Sequence, residues 1–128
     1  MKVVICSSTR HHDTAEYYAK EIKEAGIEVF CPPIVSSTEK WRRLSDKQKK
    51  KELKKLIEEH FNEISSSDAI LIINKNNYIG TSVNIEIGYA AAKSKRIFAI
   101  EPDADLSRST LIEVVINGPQ QIKELLAD

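Results

Sequence analysis

Two short stretches hold the side chains whose types and spacing could do chemistry. The first, Cys6-Ser7-Ser8-Thr9-Arg10-His11, gathers hydroxyls, backbone N–H groups and one guanidinium into a single loop. Placed between a strand and a helix, such a loop makes a phosphate cradle, because a helix N-terminus and an arginine both favour an anion. A polar loop that only caps the following helix would have the same composition. The second stretch is Gly80-Thr81-Ser82-Val83-Asn84-Ile85-Glu86-Ile87-Gly88-Tyr89-Ala90, which sets one carboxylate among apolar neighbours on a helix. A carboxylate in such surroundings is paired, hydrogen-bonded or kept for a reaction. Near the start of a helix the macrodipole favours its ionised form. The plainer alternative for Glu86 is a glutamate solvated at the helix edge. Gly88 is expected to let this helix pack closely on a sheet.

Other polar residues have cheaper explanations. His11 and His12 are adjacent in a loop, so their side chains point apart and a shared metal is not expected; His11 remains a candidate phosphate contact. His60 falls on an apolar helix face and reads as a packed histidine. Cys6 and Cys31 read as buried thiols at the ends of neighbouring strands. No CxxC or Cys/His spacing indicates zinc, and GxGxxG and the Walker lysine are both absent. No metal and no cofactor is therefore expected.

Composition narrows the class. The chain has 128 residues, 41% hydrophobic and 30% charged, enough for one domain over residues 1–128 with its own core. Nineteen Lys and Arg balance nineteen Asp and Glu, which argues against a basic nucleic-acid binder. The segment from Glu39 to Glu63 is locally basic, but Trp41 is its one ring suited to stacking a base, so a solvated helix face is the expected reading. Trp41, Arg42 and Arg43 are placed in a loop that could close over a ligand or meet a second copy. The apolar runs are too short for a membrane span. The N-terminal residues lack a signal-peptide pattern, so a cytoplasmic location is expected.

The elements that would position these residues alternate between apolar runs and helical periodicity, the pattern of an α/β fold. Strands are expected at Val3–Cys6, Ile27–Phe30, Ala69–Ile73, Arg96–Ile100 and Val114–Ile116. Continuous rather than alternating apolar character fits parallel strands covered on both faces. Asp13 and Glu16 form a capping-box pattern for the first helix, and Ser45 and Gln48 one for the second. The second helix carries Leu53, Leu56, Ile57, His60, Phe61 and Ile64 on one face. The connection from Ile34 to Leu44 reads as polar loop. Further helices run from about Val83 to Lys95 and from Gly118-Pro119 onward. The result is a doubly wound, flavodoxin-like parallel sheet of about five strands in the order 2-1-3-4-5, whose ligands sit at the carboxyl ends of the strands near the switch point. That crevice would collect Cys6 to His11, Asn74 to Ser82 and Glu86.

The residues that carry this reading also carry a family resemblance. Ser8 and Arg10, Asp68-Ala69-Ile70-Leu71, Tyr78-Ile79-Gly80, Glu86-Ile87-Gly88-Tyr89-Ala90 and Val115-Ile116-Asn117-Gly118 resemble the nucleoside 2-deoxyribosyltransferase superfamily, in particular its small nucleoside 2-deoxyribosyltransferase-like proteins. The resemblance extends to 2′-deoxynucleoside 5′-phosphate N-hydrolases, whose first loop reads Cys-Gly-Ser-x-Arg, and it spans most of the chain outside Glu39–Glu63. It implies that Glu86 is a nucleophile attacking the anomeric carbon of a 2′-deoxynucleoside. The base then leaves, and water or a second base resolves the glycosyl-enzyme. It further implies that Ser7, Ser8 and Arg10 hold a 5′-phosphate. Tyr78, Gly80, Thr81 and Ser82 would then complete the substrate site. Asn74 stands where the family carries an Asp that handles the leaving base, and Tyr78 or Tyr89 would supply the aromatic cover. The alternative is a non-catalytic nucleotide-binding or sensing module on the same fold. The resemblance also implies a homo-oligomer, most simply a twofold dimer. In it Ser107, Ser109 or Asn117 would reach the other subunit's phosphate. A helix apolar around most of its circumference (Ile85, Ile87, Tyr89, Ala90, Ala91, Ala92) supports this, unless the long charged helix of the same chain covers the surplus.

Overall fold

The computed structural model describes residues 1–35 and 38–127; Ser36 and Ser37, inside the connection read as polar loop, and Asp128 lie outside the described residues. The strands are β1 (Lys2–Ser7), β2 (Glu28–Phe30), β3 (Ala69–Ile73), β4 (Arg96–Ala99) and β5 (Val114–Val115). The helices are α1 (His12–Glu24), α2 (Glu39–Arg42), α3 (Asp46–Ser65), α4 (Thr81–Ala92), α5 (Leu106–Ser109) and α6 (Gln120–Ala127). Every ladder is parallel, and the order is β2-β1-β3-β4-β5, as the pattern of apolar runs predicts. No helix among the described residues is long and apolar enough to cross a membrane.

The apolar runs are continuous because the sheet is covered on both faces. Val3, Ile5, Ala69, Leu71 and Ile73 pack with Ala15 and Ile22 of α1 and Ile122 of α6. The intervening residues Val4, Cys6, Ile70 and Ile72 turn the other way, against Ile64 of α3 and Val83, Ile87 and Ala90 of α4. The register sets Cys6 beside Ile72 and Ser7 beside Ile73, so the two central strands end level with each other. Cys6 therefore lies under α3 and α4, and Ser7 is the last strand residue before the first loop.

Three local expectations change. The capping box at Asp13 does not form. A 3-10 turn at Thr9–His11 comes first, with Ser8 Oγ accepting from the Arg10 N–H at 3.2 Å, while Glu16 meets His12 Nε2 at 2.7 Å. The chain coils as soon as it leaves β1, so the free N–H groups that a capping residue serves arise five residues earlier in the loop, at Ser8 and not at Asp13. The Ser45–Gln48 capping box does form, with both reciprocal hydrogen bonds present. The connection after β2 contains the single turn α2, capped by Thr38 Oγ1, so Trp41 and Arg42 are helical. Finally, Gly88 is exposed, and a Cβ there would meet nothing within 4 Å, so close packing on the sheet is not its role.

Candidate active site

The long helix α3 is buried only at His60 and Ile64. Its last turns pack on α4: Phe61 stacks on Tyr89 with centroids 4.1 Å apart, and Ser65 Oγ meets the Tyr89 hydroxyl at 2.7 Å. The apolar face of its earlier turns, Leu53, Leu56 and Ile57, faces a cavity of about 280 Å³ instead of the core. Phe30, the last residue of β2, and Pro32, Pro33 and Val35 after it form the neighbouring wall. The polar side is Ser7, Ser8 and Thr9 from the first loop, with Gly80, Ser82, Val83 and Glu86 from the start of α4. The cavity lies at the carboxyl ends of β1 and β2, with the start of α4 across it, beside the switch point between β1 and β3.

Two features of the α4 start matter. Gly80 is its N-cap and offers no side-chain hydrogen bond, so the first-turn N–H groups remain open for a ligand. Glu86 follows in the second turn, 7% exposed. Its Oε2 lies 3.0 Å from His60 Nδ1, and its Oε1 is buried with no hydrogen-bond partner among the described residues. The other ring nitrogen of His60 faces Cys6 Sγ at 3.8 Å, and the edge of Phe30 packs on the ring at 5.5 Å between centroids. Burial, then the charge of Glu86 and a hydrogen bond to it, push the Cys6 thiol well above its ordinary range. Cys6 is thus a neutral thiol.

Sequence reasoning placed His60 in the core and missed this contact. The signal was a polar side chain on the apolar face of α3, but only the packing of α3 on α4 reveals what it meets. Glu59, which also lines the cavity, was likewise read as part of a solvated helix face. Cys6, His60 and Glu86 are the residues that could hold a metal, since their ligating atoms lie within 4.8 Å of one another. Each imidazole nitrogen also has its own near neighbour, Glu86 Oε2 at Nδ1 and Cys6 Sγ at Nε2.

Of the expected site residues, Ser7, Ser8, Gly80, Ser82 and Glu86 come together around the cavity. Arg10 and Tyr78 stand beside it as a stacked pair, with the guanidinium carbon 3.7 Å from the ring centroid. His11 is buried edge-on to Tyr78, and its Nε2 has no hydrogen-bond partner among the described residues. Thr81 is exposed as the first residue of α4, and Asn117 is exposed with its N–H donating to Gln121 Oε1. Asn74 is fully buried and does not line the cavity. Its Nδ2 donates to the Glu101 carbonyl at 2.8 Å, and its Oδ1 accepts from the Glu101 N–H at 3.0 Å. An amide occupied on both ends by backbone is a clamp between the β3 and β4 loops, not a group free to meet a base.

A family model described as nucleoside 2-deoxyribosyltransferase matches residues 5–118. The chain belongs to the nucleoside 2-deoxyribosyltransferase family. Solved structures of similar fold include the 2-deoxyribosyltransferase of Bacillus psychrosaccharolyticus. It has 16% identity and a TM-score of 0.61, with coverage of 96% of this chain and 90% of that one. A conserved protein of Enterococcus faecalis V583 has 15% identity and a TM-score of 0.66, with coverage of 97% and 95%. The CMP N-glycosidase of Clostridium botulinum has 18% identity and a TM-score of 0.55, with coverage of 99% and 98%. No curated protein matches this member of the family. At these identities the three structures speak for the fold, and the family match spans the first loop, the Glu86 block and the stretch to Gly118.

Proposed function

We propose that this protein cleaves, or transfers at, the N-glycosidic bond of a 2′-deoxynucleoside or its 5′-monophosphate, with Glu86 as nucleophile. The observation that carries the reading is the Glu86 carboxylate, buried at the cavity wall with one oxygen left without a hydrogen-bond partner among the described residues. Such an arrangement is costly in a fold unless the group is used. Family membership supports the reaction class, as do the activities of the two named relatives, a 2-deoxyribosyltransferase and a CMP N-glycosidase.

In this reaction a carboxylate oxygen of Glu86 bonds to C1′ while the C1′–N bond breaks, its electron pair leaving with the base. Water or a second base then attacks C1′ and returns the carboxylate. Glu59, the other carboxylate lining the cavity, is the proposed proton source for the departing base. The 5′-phosphate would sit among Ser7, Ser8, Thr9 and the open N–H groups of α4, with Arg10 swinging from its ring stack to meet it. The sugar and base would lie along the apolar wall of Phe30, Leu56 and Ile57. The active form is a homodimer in this proposal. Ile85 and Leu111 are 44% and 41% exposed, Leu106 is 82% exposed, and Arg108 Nη1 on Asn84 Oδ1 at 3.2 Å holds α5 beside α4.

The test is base release from a panel of deoxynucleosides and their monophosphates, read by chromatography. Glu86→Gln keeps the shape and removes the nucleophile, so release should vanish while ligand binding persists. Wild-type turnover in that variant would remove Glu86 from the mechanism. A second reading, a non-catalytic nucleotide-binding module, is favoured by the clamped Asn74 in place of an acid. It predicts binding without release from the wild type as well.

A further inference from the structure

The cavity beside Glu86 has a neighbour. Val35 and Leu56 line both it and a second cavity of about 290 Å³, which is also lined by Thr38, Trp41 and Leu44, in and around α2, and by Glu52 of α3. The two shared side chains are half-buried and lie outside the packed core. Each cavity alone is just below the smallest volume usual for a small-molecule site, about 300 Å³, whereas the two together fall well inside the usual range. We propose that the second cavity extends the substrate site, and that it takes an aromatic or other flat apolar group attached to the edge of the nucleobase remote from the sugar. The proposal deepens the reading of the first cavity as a deoxynucleotide site and rests on it.

The helix α3 gives the direction. Leu56 stands one turn before His60, the neighbour of Glu86, and Glu52 one turn before Leu56. At the α-helical rise these are about 6 Å and about 12 Å along the axis from His60. A base whose sugar sits at Glu86 reaches Leu56 with its own ring and ends there. In a double displacement the incoming group attacks the carbon from the side the base left, so an acceptor base reuses the first subsite and needs no second one. What enters the second cavity therefore belongs to the same molecule as the base and extends beyond it. The lining selects its chemistry. Trp41 and Leu44 are half-buried, with Lys49 Nζ 5.9 Å from the indole centroid. Thr38 Oγ1 donates to the Val35 carbonyl at 2.8 Å and accepts from the Trp41 N–H at 3.2 Å, so its proton is already committed and the turn carrying the indole is pinned to the chain after β2. Glu52 is paired with Lys55 at 3.9 Å. An indole, two leucines and a valine offer stacking and apolar burial, which suit a flat ring.

Trp41 is the one tryptophan of the chain, so its emission reports on this cavity. The experiment titrates the full chain with two matched pairs, the 5′-monophosphates of deoxyadenosine and deoxycytidine, each with and without a benzyl group on the exocyclic amine. In at least one pair the benzylated member should bind about ten-fold or more tighter by isothermal titration, as burial of a ring predicts. It should also shift or quench Trp41 emission where the plain member does not. Leu44→Phe, at a residue that lines the second cavity and not the first, adds bulk there, and Trp41→Leu removes the ring. Each should return the affinity ratio within that pair toward one, and a ratio taken within one variant cancels any loss of stability. The comparison in the wild type needs no variant. Equal affinities within both pairs overturn the proposal alone, as does tighter binding that leaves Trp41 emission unchanged or persists undiminished in both variants. If none of the four ligands binds, the nucleotide reading itself falls and the extension with it. The titrations read binding and not base release, so they judge the extension even if Glu86 proves not to be the nucleophile.

Discussion

Arg10 leaves the first loop beside the cavity and turns its side chain onto Tyr78. Its guanidinium lies on the Tyr78 ring, exposed to solvent, an interaction worth about 0.5–1 kcal/mol at such a site. A phosphate in the first loop would offer a charge-assisted hydrogen bond of about 1.5–3 kcal/mol, enough to draw Arg10 off the ring. Arg10→Ala should therefore weaken a deoxynucleoside monophosphate by about that amount and leave the matching nucleoside almost unaffected, as isothermal titration would read. Equal weakening of both would mean that Arg10 serves to hold Tyr78. The residue types of this loop were readable directly, because phosphate recognition depends on hydroxyls, N–H groups and a cation in one short span. The burial of His11 was not, since it depends on where Tyr78 comes to rest across the fold.

At the scale of elements, the loops after β3 and β4 are joined by a run of asparagines. Asn74 clamps the Glu101 backbone, the Asn76 N–H donates to Glu101 Oε2 at 3.0 Å, and Asn77 Oδ1 accepts from the Ala104 N–H at 2.8 Å. Asn76 and Asn77 also take left-handed backbone angles, φ of 56° and 59°, which asparagine tolerates well. The following loop is held by Asp103, whose carboxylate the Arg108 guanidinium keeps below its usual range. The clamp yields a test of Asn74. Asn74→Asp supplies the acid that the family resemblance leads one to expect, but it replaces a buried donor with an acceptor facing the Glu101 carbonyl. Thermal or urea unfolding should show a loss of about 1–3 kcal/mol, with no gain in base release. Faster release at unchanged stability would return Asn74 to the reaction.

For the whole molecule, α3 covers the Tyr89 side of α4, as the intramolecular alternative required, but it leaves Ile85 and Gly88 uncovered. With Leu106 and Leu111 these make the face a second copy would use, and a glycine with open space above it permits close approach of another helix. Sedimentation at micromolar concentration should give twice the chain mass. Ile85→Glu, which buries a charge only if the face is an interface, should give the monomer. A wild-type monomer would reject both the dimer and any residue shared across it.

The strand order and the two-sided core were legible because both follow from local chemistry: continuous apolar runs separated by helical periodicity admit few parallel arrangements. That the first loop and Glu86 fall at one cavity was legible for a related reason, since a charged or hydroxyl group at a strand end or on an apolar helix is conspicuous in one dimension. His60, Glu59 and Asn74 were not. His60 and Ile64 share one face of α3 in the sequence pattern, yet Ile64 meets the core while His60 meets a carboxylate from another helix. Leu53, Leu56 and Ile57 continue the same face and line a cavity. Periodicity states which side of a helix is apolar. Where that helix runs past the end of its sheet, only packing in three dimensions determines which residues on that side fill the core and which line the site.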